Sequence, residues 1–422
     1  MKGGKVALAA VLLTALAVIA WLAWPDRQQG RGMETDRPAT AASIARGAYL
    51  VRVGNCMACH TERGGVAFAG GRTIMTPFGA VYSTNLTPHP AAGLGAWSRD
   101  DFWRALHDGR SRDGRLLTPA FPYPNYTVVA RADADAMYDY LRSLPAADQP
   151  NRPHRLRWPY RTQAALALWR AMYFERAPRL EQAPAAGLER GAYLVQGLGH
   201  CSACHGPRNA LGASSNLMDL SGGLIPMQNW YAPSLASPGE AGVAHWPLAE
   251  VERLLATGVA ASGTVLGPMA QVVLHSTQHL APADLRAMAL FLQALPQEVG
   301  RDHGAAALPR PDLAERGAKL YERDCATCHG ERGEGVPGAY PALAGNRAVT
   351  LPVTANLVQV VLYGGFAPAT AGNPRPFGMP PFATSLGDAD VAAVLTHIRT
   401  SWGNRAPPVA EVDVTRQRDT TY

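Results

Sequence analysis

Apolar residues recur at three- and four-residue steps in several stretches of this chain. From Asp133 to Leu144 the apolar side carries Ala136, Met137, Tyr140, Leu141 and Leu144. From Ala283 to Leu295 it carries Leu285, Met288, Ala289, Leu292 and Leu295, with Pro282 and Asp284 as start signals. From Asp388 to Trp402 it carries Val391, Val394, Leu395, Ile398 and Trp402. This period predicts amphipathic helices rather than strands. A fourth helix is expected over Gln163 to Phe174, where Leu166, Trp169, Met172 and Tyr173 would pack against neighbouring domains or dock onto a partner.

A shorter apolar stretch precedes each of the first three helices at a distance. Arg46-Gly47-Ala48-Tyr49-Leu50-Val51 returns as Arg190-Gly191-Ala192-Tyr193-Leu194-Val195 and as Arg316-Gly317-Ala318-Lys319-Leu320-Tyr321. One opening helix and one closing helix, three times over, is an internal repeat of one fold. Pro- and Gly-rich runs lie between, such as Thr76-Pro77-Phe78-Gly79 and Pro374-Arg375-Pro376-Phe377-Gly378. They read as loops rather than core strands. The expected segments are residues 43–145, 186–296 and 311–404, with a linker over 146–185 and a loose polar tail over 405–422.

The N-terminus follows another pattern. Lys2 and Lys5 precede Val6 to Trp24, an uncharged run of 19 residues. Residues 1–25 therefore read as a signal peptide or a retained membrane anchor, the length and the lack of an Ala-x-Ala site favouring the anchor. Either way the remainder is expected on the exported, periplasmic side.

Composition changes the picture little. At 422 residues the chain is long enough for about three domains. The formal charge of +6 includes Lys2 and Lys5, which leaves +4 for the rest. No basic arm or aromatic-interleaved patch suggests nucleic-acid binding.

All six cysteines fall into one repeated pentapeptide. It reads Cys56-Met57-Ala58-Cys59-His60, then Cys201-Ser202-Ala203-Cys204-His205, then Cys325-Ala326-Thr327-Cys328-His329. Cys-x-x-Cys-His is the spacing of covalent haem attachment. Two thiols on one turn add to the two vinyl groups of the porphyrin, and the histidine becomes the proximal iron ligand. A dithiol pair does not require that histidine, and a structural zinc site takes four ligands. The cofactor expected is three covalently bound haems c. Their six propionates would leave the loaded protein near neutral or slightly acidic.

The sixth iron ligand differs among the repeats. Met379, in Gly378-Met379-Pro380, lies 50 residues after His329, and Met269, in Gly267-Pro268-Met269, lies 64 after His205. Both stand shortly before a closing helix, where a thioether ligand would raise the reduction potential. In the first repeat Phe121 occupies the matching place, and phenylalanine cannot ligate iron. Met75, His89 and His107 are substitutes, Met137 belongs to a helix core, and an open position is the remaining alternative. The other histidines (His154, His200, His245, His275, His279, His303 and His397) fit no ligand pattern. No nucleophile elbow, zinc-protease or nucleotide-binding motif occurs, so the chain has no substrate-oxidising site of its own.

With these residues in view, the chain resembles the triheme cytochrome c subunits of bacterial membrane-bound dehydrogenases for alcohols, aldehydes and gluconate. The resemblance runs from about residue 44 to residue 404. It rests on the opening stretches, Thr76-Pro77-Phe78-Gly79, Tyr82-Ser83-Thr84-Asn85-Leu86-Thr87-Pro88, Cys204-His205-Gly206-Pro207-Arg208-Asn209, Gly267-Pro268-Met269-Ala270-Gln271-Val272-Val273 and Ser401-Trp402-Gly403-Asn404. It implies an all-α fold of three tandem class I cytochrome c domains. It also implies a separate catalytic subunit, with quinone or flavin cofactor, from which electrons pass to ubiquinone in the cytoplasmic membrane or to a downstream cytochrome. Phe in place of Met before Pro-Tyr is also similar to chains that accompany molybdenum-dependent aldehyde or N-heterocycle dehydrogenases. A free-standing multihaem carrier, or a haem enzyme or sensor acting at the first site, is the alternative without such a complex.

Overall fold

The computed structural model describes residues 37–214, 216, 218–297 and 310–418. The expected export segment, residues 1–25, lies outside them. Among the described residues no helix is long and apolar enough to cross a membrane. The chain divides into two compact units. Among the described residues, one holds 37–185 with 192–203, 208–214, 216 and 218; the other holds 186–191, 204–207, 219–297 and 310–418.

In the first unit, α1 (Ala41–Val53) starts at Thr40, whose hydroxyl accepts from the Ser43 amide. A hairpin follows, β1 (Thr73–Thr76) and β2 (Gly79–Tyr82), then α2 (Arg99–Asp108) and α3 (Arg131–Ser143). Helix α2 begins in a reciprocal capping box between Ser98 and Asp101. Helix α3 matches the apolar period read from the sequence, and it crosses α1 at Gly47. A Cβ at Gly47 would overlap the Ala136 carbonyl, so only glycine permits this approach. Arg46 Nε donates to Asp133 Oδ1 at 2.8 Å, tying the start of one helix to the start of the other.

The second unit repeats this device twice. Helix α5 (Gly187–Ala192) meets α8 (Pro282–Gln293), with Arg190 in a bidentate pair to Asp284 at 2.8 Å and Gly191 against the Ala287 carbonyl. Helix α9 (Pro311–Asp324) meets α11 (Asp388–Thr400), with Arg316 on Asp390 at 2.8 Å and Gly317 against the Ala393 carbonyl. The Arg-Gly dipeptide thus has one structural meaning in three places: an ion pair beside a helix crossing.

The spacing between this dipeptide and the pentapeptide varies, and the backbone absorbs the difference. Arg46 precedes Cys56 by ten residues and Arg190 precedes Cys201 by eleven. The extra residue is taken up as a π-helix over Tyr193–Leu198. In both cases a left-handed residue, Asn55 (φ 50°) or His200 (φ 39°), turns the chain into the cysteines. Arg316 precedes Cys325 by only nine, and α9 runs helically to Asp324.

Three expectations need correction. The Thr76-Pro77-Phe78-Gly79 stretch, read as a loop, closes the β1–β2 hairpin, and β3 (Arg155–Leu156) joins β2 as a third strand. Thr76 Oγ1 donates to the Gly79 carbonyl at 2.7 Å and accepts from the Phe78 amide at 3.1 Å, so one side chain holds the turn. Short hairpins also occur at β4–β5 (Gly223–Ile225, Trp230–Ala232), β6–β7 (Val259–Ala260, Gly263–Thr264) and β8–β9 (Gly365–Phe366, Gly378–Met379). The fold is helix-rich rather than purely helical.

The tail is not loose where it is described. Residues Glu411–Arg418 form a helix, α12, and Val409 and Val414 are buried in the core that holds Leu320, Val358 and Val391. Arg418 Nε pairs with Asp388 at 2.6 Å. Within the helix only Val414 is buried, and its other anchors are polar contacts from Thr415, Gln417 and Arg418, so no amphipathic period registers.

The linker helix, α4 (Gln163–Tyr173), forms where expected and is capped by Thr162. It buries Ala167, and Trp169 Nε1 donates to the Leu211 carbonyl at 3.0 Å, while Leu168 and Met172 stay exposed.

Candidate haem sites

Each pentapeptide folds into a single helical turn: Cys56–His60, Ser202–His205 and Ala326–His329. On a turn the two cysteines, three apart, share a face, and the histidine falls four after the first cysteine. That is the geometry needed for two thioether bonds and an axial imidazole on one side of a flat ring.

The histidines are oriented alike. His60 Nδ1 donates to the Thr84 carbonyl at 2.7 Å, His205 Nδ1 to the Pro233 carbonyl at 2.7 Å, and His329 Nδ1 to the Pro341 carbonyl at 3.0 Å. A carbonyl only accepts, so the proton sits on Nδ1 and the Nε2 lone pair is left for a metal. Burial lowers the pKa of all three rings, which keeps the imidazoles neutral. The three acceptor carbonyls lie 24, 28 and 12 residues after their histidines. Because these loop lengths differ, no sequence pattern announces the shared contact.

The thiols are equally informative. Burial, then the neighbouring Cys59, pushes Cys56 up to about 12, and burial pushes Cys325 up to about 11. Such groups stay protonated at neutral pH and lack the depressed pKa of a redox dithiol or a thiolate metal ligand. All six cysteines are free of disulfides. A neutral sulfur in an apolar wall fits an uncharged thioether. An arginine also steadies two of the turns: Arg72 donates to the Ala58 carbonyl at 2.6 Å and Arg208 to the Ala203 carbonyl.

The third motif faces an apolar cavity whose lining includes Cys325, His329, Met379, Leu343, Phe382 and Leu395. Met379 sits on β9, in register with Gly365 of β8. The expected proximal histidine and distal methionine therefore line one space. Met269 lies in the first turn of α7 (Pro268–His275), after Gly267, whose left-handed φ of 49° and contact with the Trp230 indole leave no room for a side chain.

The first motif has different surroundings. Phe121 holds the place of the methionine, its ring 5.4 Å from that of Tyr126. Burial, and then the nearby Cys56 and Cys59, raises the pKa of Tyr126 far above its usual value, so this phenol is a wall of the first site that the sequence reading missed. Of the substitute ligands, two histidines are fully committed elsewhere. His89 accepts at Nδ1 from the Ala92 amide at 3.0 Å and faces Asp148 with Nε2 at 3.4 Å. His107 bonds to Asp108 at 2.8 Å and to the Ala177 carbonyl at 3.1 Å, with its ring stacked on Trp103. Met75 is 52% exposed on β1, and Met137 is buried in α3 as expected.

A cytochrome c family profile matches residues 44–145 and 314–402. The cytochrome c subunit of a quinone-type alcohol dehydrogenase from Gluconacetobacter polyoxogenes is 37% identical over 93% of this chain and 87% of its own. This chain belongs to the family of cytochrome c subunits of bacterial dehydrogenases. As a member it carries covalently bound haem c. Two other relatives of this cytochrome c subunit widen the setting. The gluconate 2-dehydrogenase cytochrome c subunit of Pantoea cypripedii is 36% identical over 88% of each chain. A nicotinate dehydrogenase subunit from Pseudomonas putida is 38% identical over 88% of this chain and 32% of its own length.

Proposed function

We propose that this cytochrome c subunit holds three haems c, one per pentapeptide, in three tandem class I cytochrome c domains. In this reading it passes electrons from a catalytic dehydrogenase subunit to ubiquinone or a downstream respiratory cytochrome. The observation that carries the reading is the same Nδ1-to-carbonyl contact at His60, His205 and His329, which leaves three neutral Nε2 atoms free as axial ligands. When bound, the haems supply one-electron Fe(III)/Fe(II) couples.

The protein's own residues then do three things. Cys56, Cys59, Cys201, Cys204, Cys325 and Cys328 fix each ring by thioether bonds. The histidines hold the iron from one side. Met269 and Met379 close the other side in the second and third domains with a soft ligand that favours the reduced state. In the first domain Phe121 supplies no donor, His89 and His107 are engaged elsewhere and Met75 is exposed on β1, so that position is open. Apolar walls such as the buried Leu395 and the partly buried Phe382 exclude water and limit solvent reorganisation.

The partner and location come from the relatives and the N-terminal sequence. Both the alcohol and gluconate relatives are named cytochrome c subunits of dehydrogenases, which supports a catalytic partner, and the apolar run at Val6 to Trp24 supports the periplasmic face of the inner membrane. A partner of the aldehyde or N-heterocycle type is the second reading, favoured by the 38% identity to the nicotinate dehydrogenase subunit.

Purification from the native membrane tests this directly. The expected result is three haems per chain, a co-purifying large subunit, and substrate-dependent quinone reduction by the complex alone. Fewer than three haems, or a chain recovered without any partner from gently solubilised membranes, would overturn the proposal.

A further inference from the structure

The three closing helices carry a hydrogen-bond donor at one equivalent position, after Leu141, Leu292 and Ile398. Each donor binds the stretch that leads into an earlier helix of its repeat, α2, α6 (Leu248–Thr257) or α10 (Ala355–Tyr363). Arg142 Nη1 donates to the Leu94 and Gly95 carbonyls at 3.2 and 2.7 Å. Gln293 Nε2 donates to the Trp246 carbonyl at 2.7 Å. Arg399 Nη1 donates to the Val349 and Leu351 carbonyls at 2.7 and 2.8 Å. The mechanical role is shared, and a neutral glutamine performs it in the second repeat.

The electrostatics are not shared. Arg142 is exposed, Gln293 is uncharged, and Arg399 has 0% of its surface exposed. The chain beyond α11 covers Arg399, whose Nε donates to the Pro407 carbonyl at 2.9 Å. Its Nη2 is buried with no hydrogen-bond partner, and no carboxylate among the described residues lies within 4 Å. Burial lowers its pKa only to about 10, so the guanidinium is charged at neutral pH. An unpaired buried cation is costly to fold around, and the second repeat holds the corresponding stretch with an uncharged glutamine.

Arg399 is joined to the wall of the third cavity. Val349, whose carbonyl it holds, and Ile398, its neighbour in α11, both line the space that contains Cys325, His329 and Met379. Reduction of an iron there adds one negative charge, which a nearby cation in a low-dielectric wall favours far more than an exposed one would. We infer that Arg399 is a tuning residue whose buried charge raises the reduction potential of the haem on His329, making it the chain's preferred electron acceptor. This rests on the three-haem reading.

The test is a spectroelectrochemical titration of the intact complex carrying Arg399→Gln, Arg399→Lys or Met379→Leu, with haem content counted in each. Gln reproduces the second repeat's donor without the charge, and Lys keeps the charge with fewer bonds. The expected result is that Arg399→Gln lowers one couple, the one Met379→Leu also moves. The shift should be about tenfold in its reduction equilibrium, or about 59 mV for one electron. Arg399→Lys should hold that couple near its wild-type potential although both variants melt earlier. Equal shifts in the Gln and Lys variants, a shift in a different couple, or lowered melting with no shift would each overturn the inference. A wild-type haem count below three would instead defeat the three-haem reading.

Discussion

The first and third repeats share a motif and differ in what faces it. Both place Cys-x-x-Cys-His on a single turn and point histidine Nδ1 at a loop carbonyl. In the third, Met379 lines the same apolar cavity as His329, and the C-terminal segment seals Arg399 behind the wall. In the first, Phe121 holds the methionine's place in the sequence, packed beside Tyr126, and the equivalent Arg142 is exposed. The proximal half of each site is set by a pentapeptide and is uniform. The distal half is set by loops far along the chain and is individual.

The largest expected effect comes from the shared half. His329→Ala should displace the third couple further than any other substitution, since the ring stays on Cys325 and Cys328 without its proximal ligand, and leave the other two in place. The distal half comes next. Met379→Leu should lower the third couple by on the order of 0.1 V, within the roughly 0.8 V that axial ligands span, with haem content unchanged. Three unmoved potentials would show that Met379 is not a ligand.

The first site offers the converse change. Carbon monoxide should bind about one haem in three of the reduced protein, and Phe121→Met should abolish that binding by supplying a thioether. Binding that persists in the variant would place the open site elsewhere. The smallest effect concerns the seal on the third repeat. Val414→Ala should cost about 1–3 kcal/mol of stability, read as a lower melting temperature of the third-domain transition. A silent substitution would show that α12 does not belong to that core.

Much of this is legible in the chain itself. The closing helices follow the apolar period to within two residues at their starts, because one face of each is buried over three turns. The pentapeptides are legible because covalent chemistry demands fixed spacing. The ion pairs Arg46–Asp133, Arg190–Asp284 and Arg316–Asp390 are not, since each joins residues more than seventy positions apart. The carbonyls of Thr84, Pro233 and Pro341 carry no side-chain signature at all, and the exclusion of His89 and His107 depends on contacts to Asp148 and Ala177. The burial of Arg399 follows from a tail that shows no periodicity. Local chemistry and repeated burial leave marks in sequence; loop closure across a domain does not.

Low-temperature electron paramagnetic resonance of the oxidised protein tests the contrast between the two halves most directly. Three haems per chain should appear as two low-spin signals, for the His205–Met269 and His329–Met379 irons, and one high-spin signal for the iron on His60. Three low-spin signals would contradict the account, since they would require a sixth ligand at the first iron.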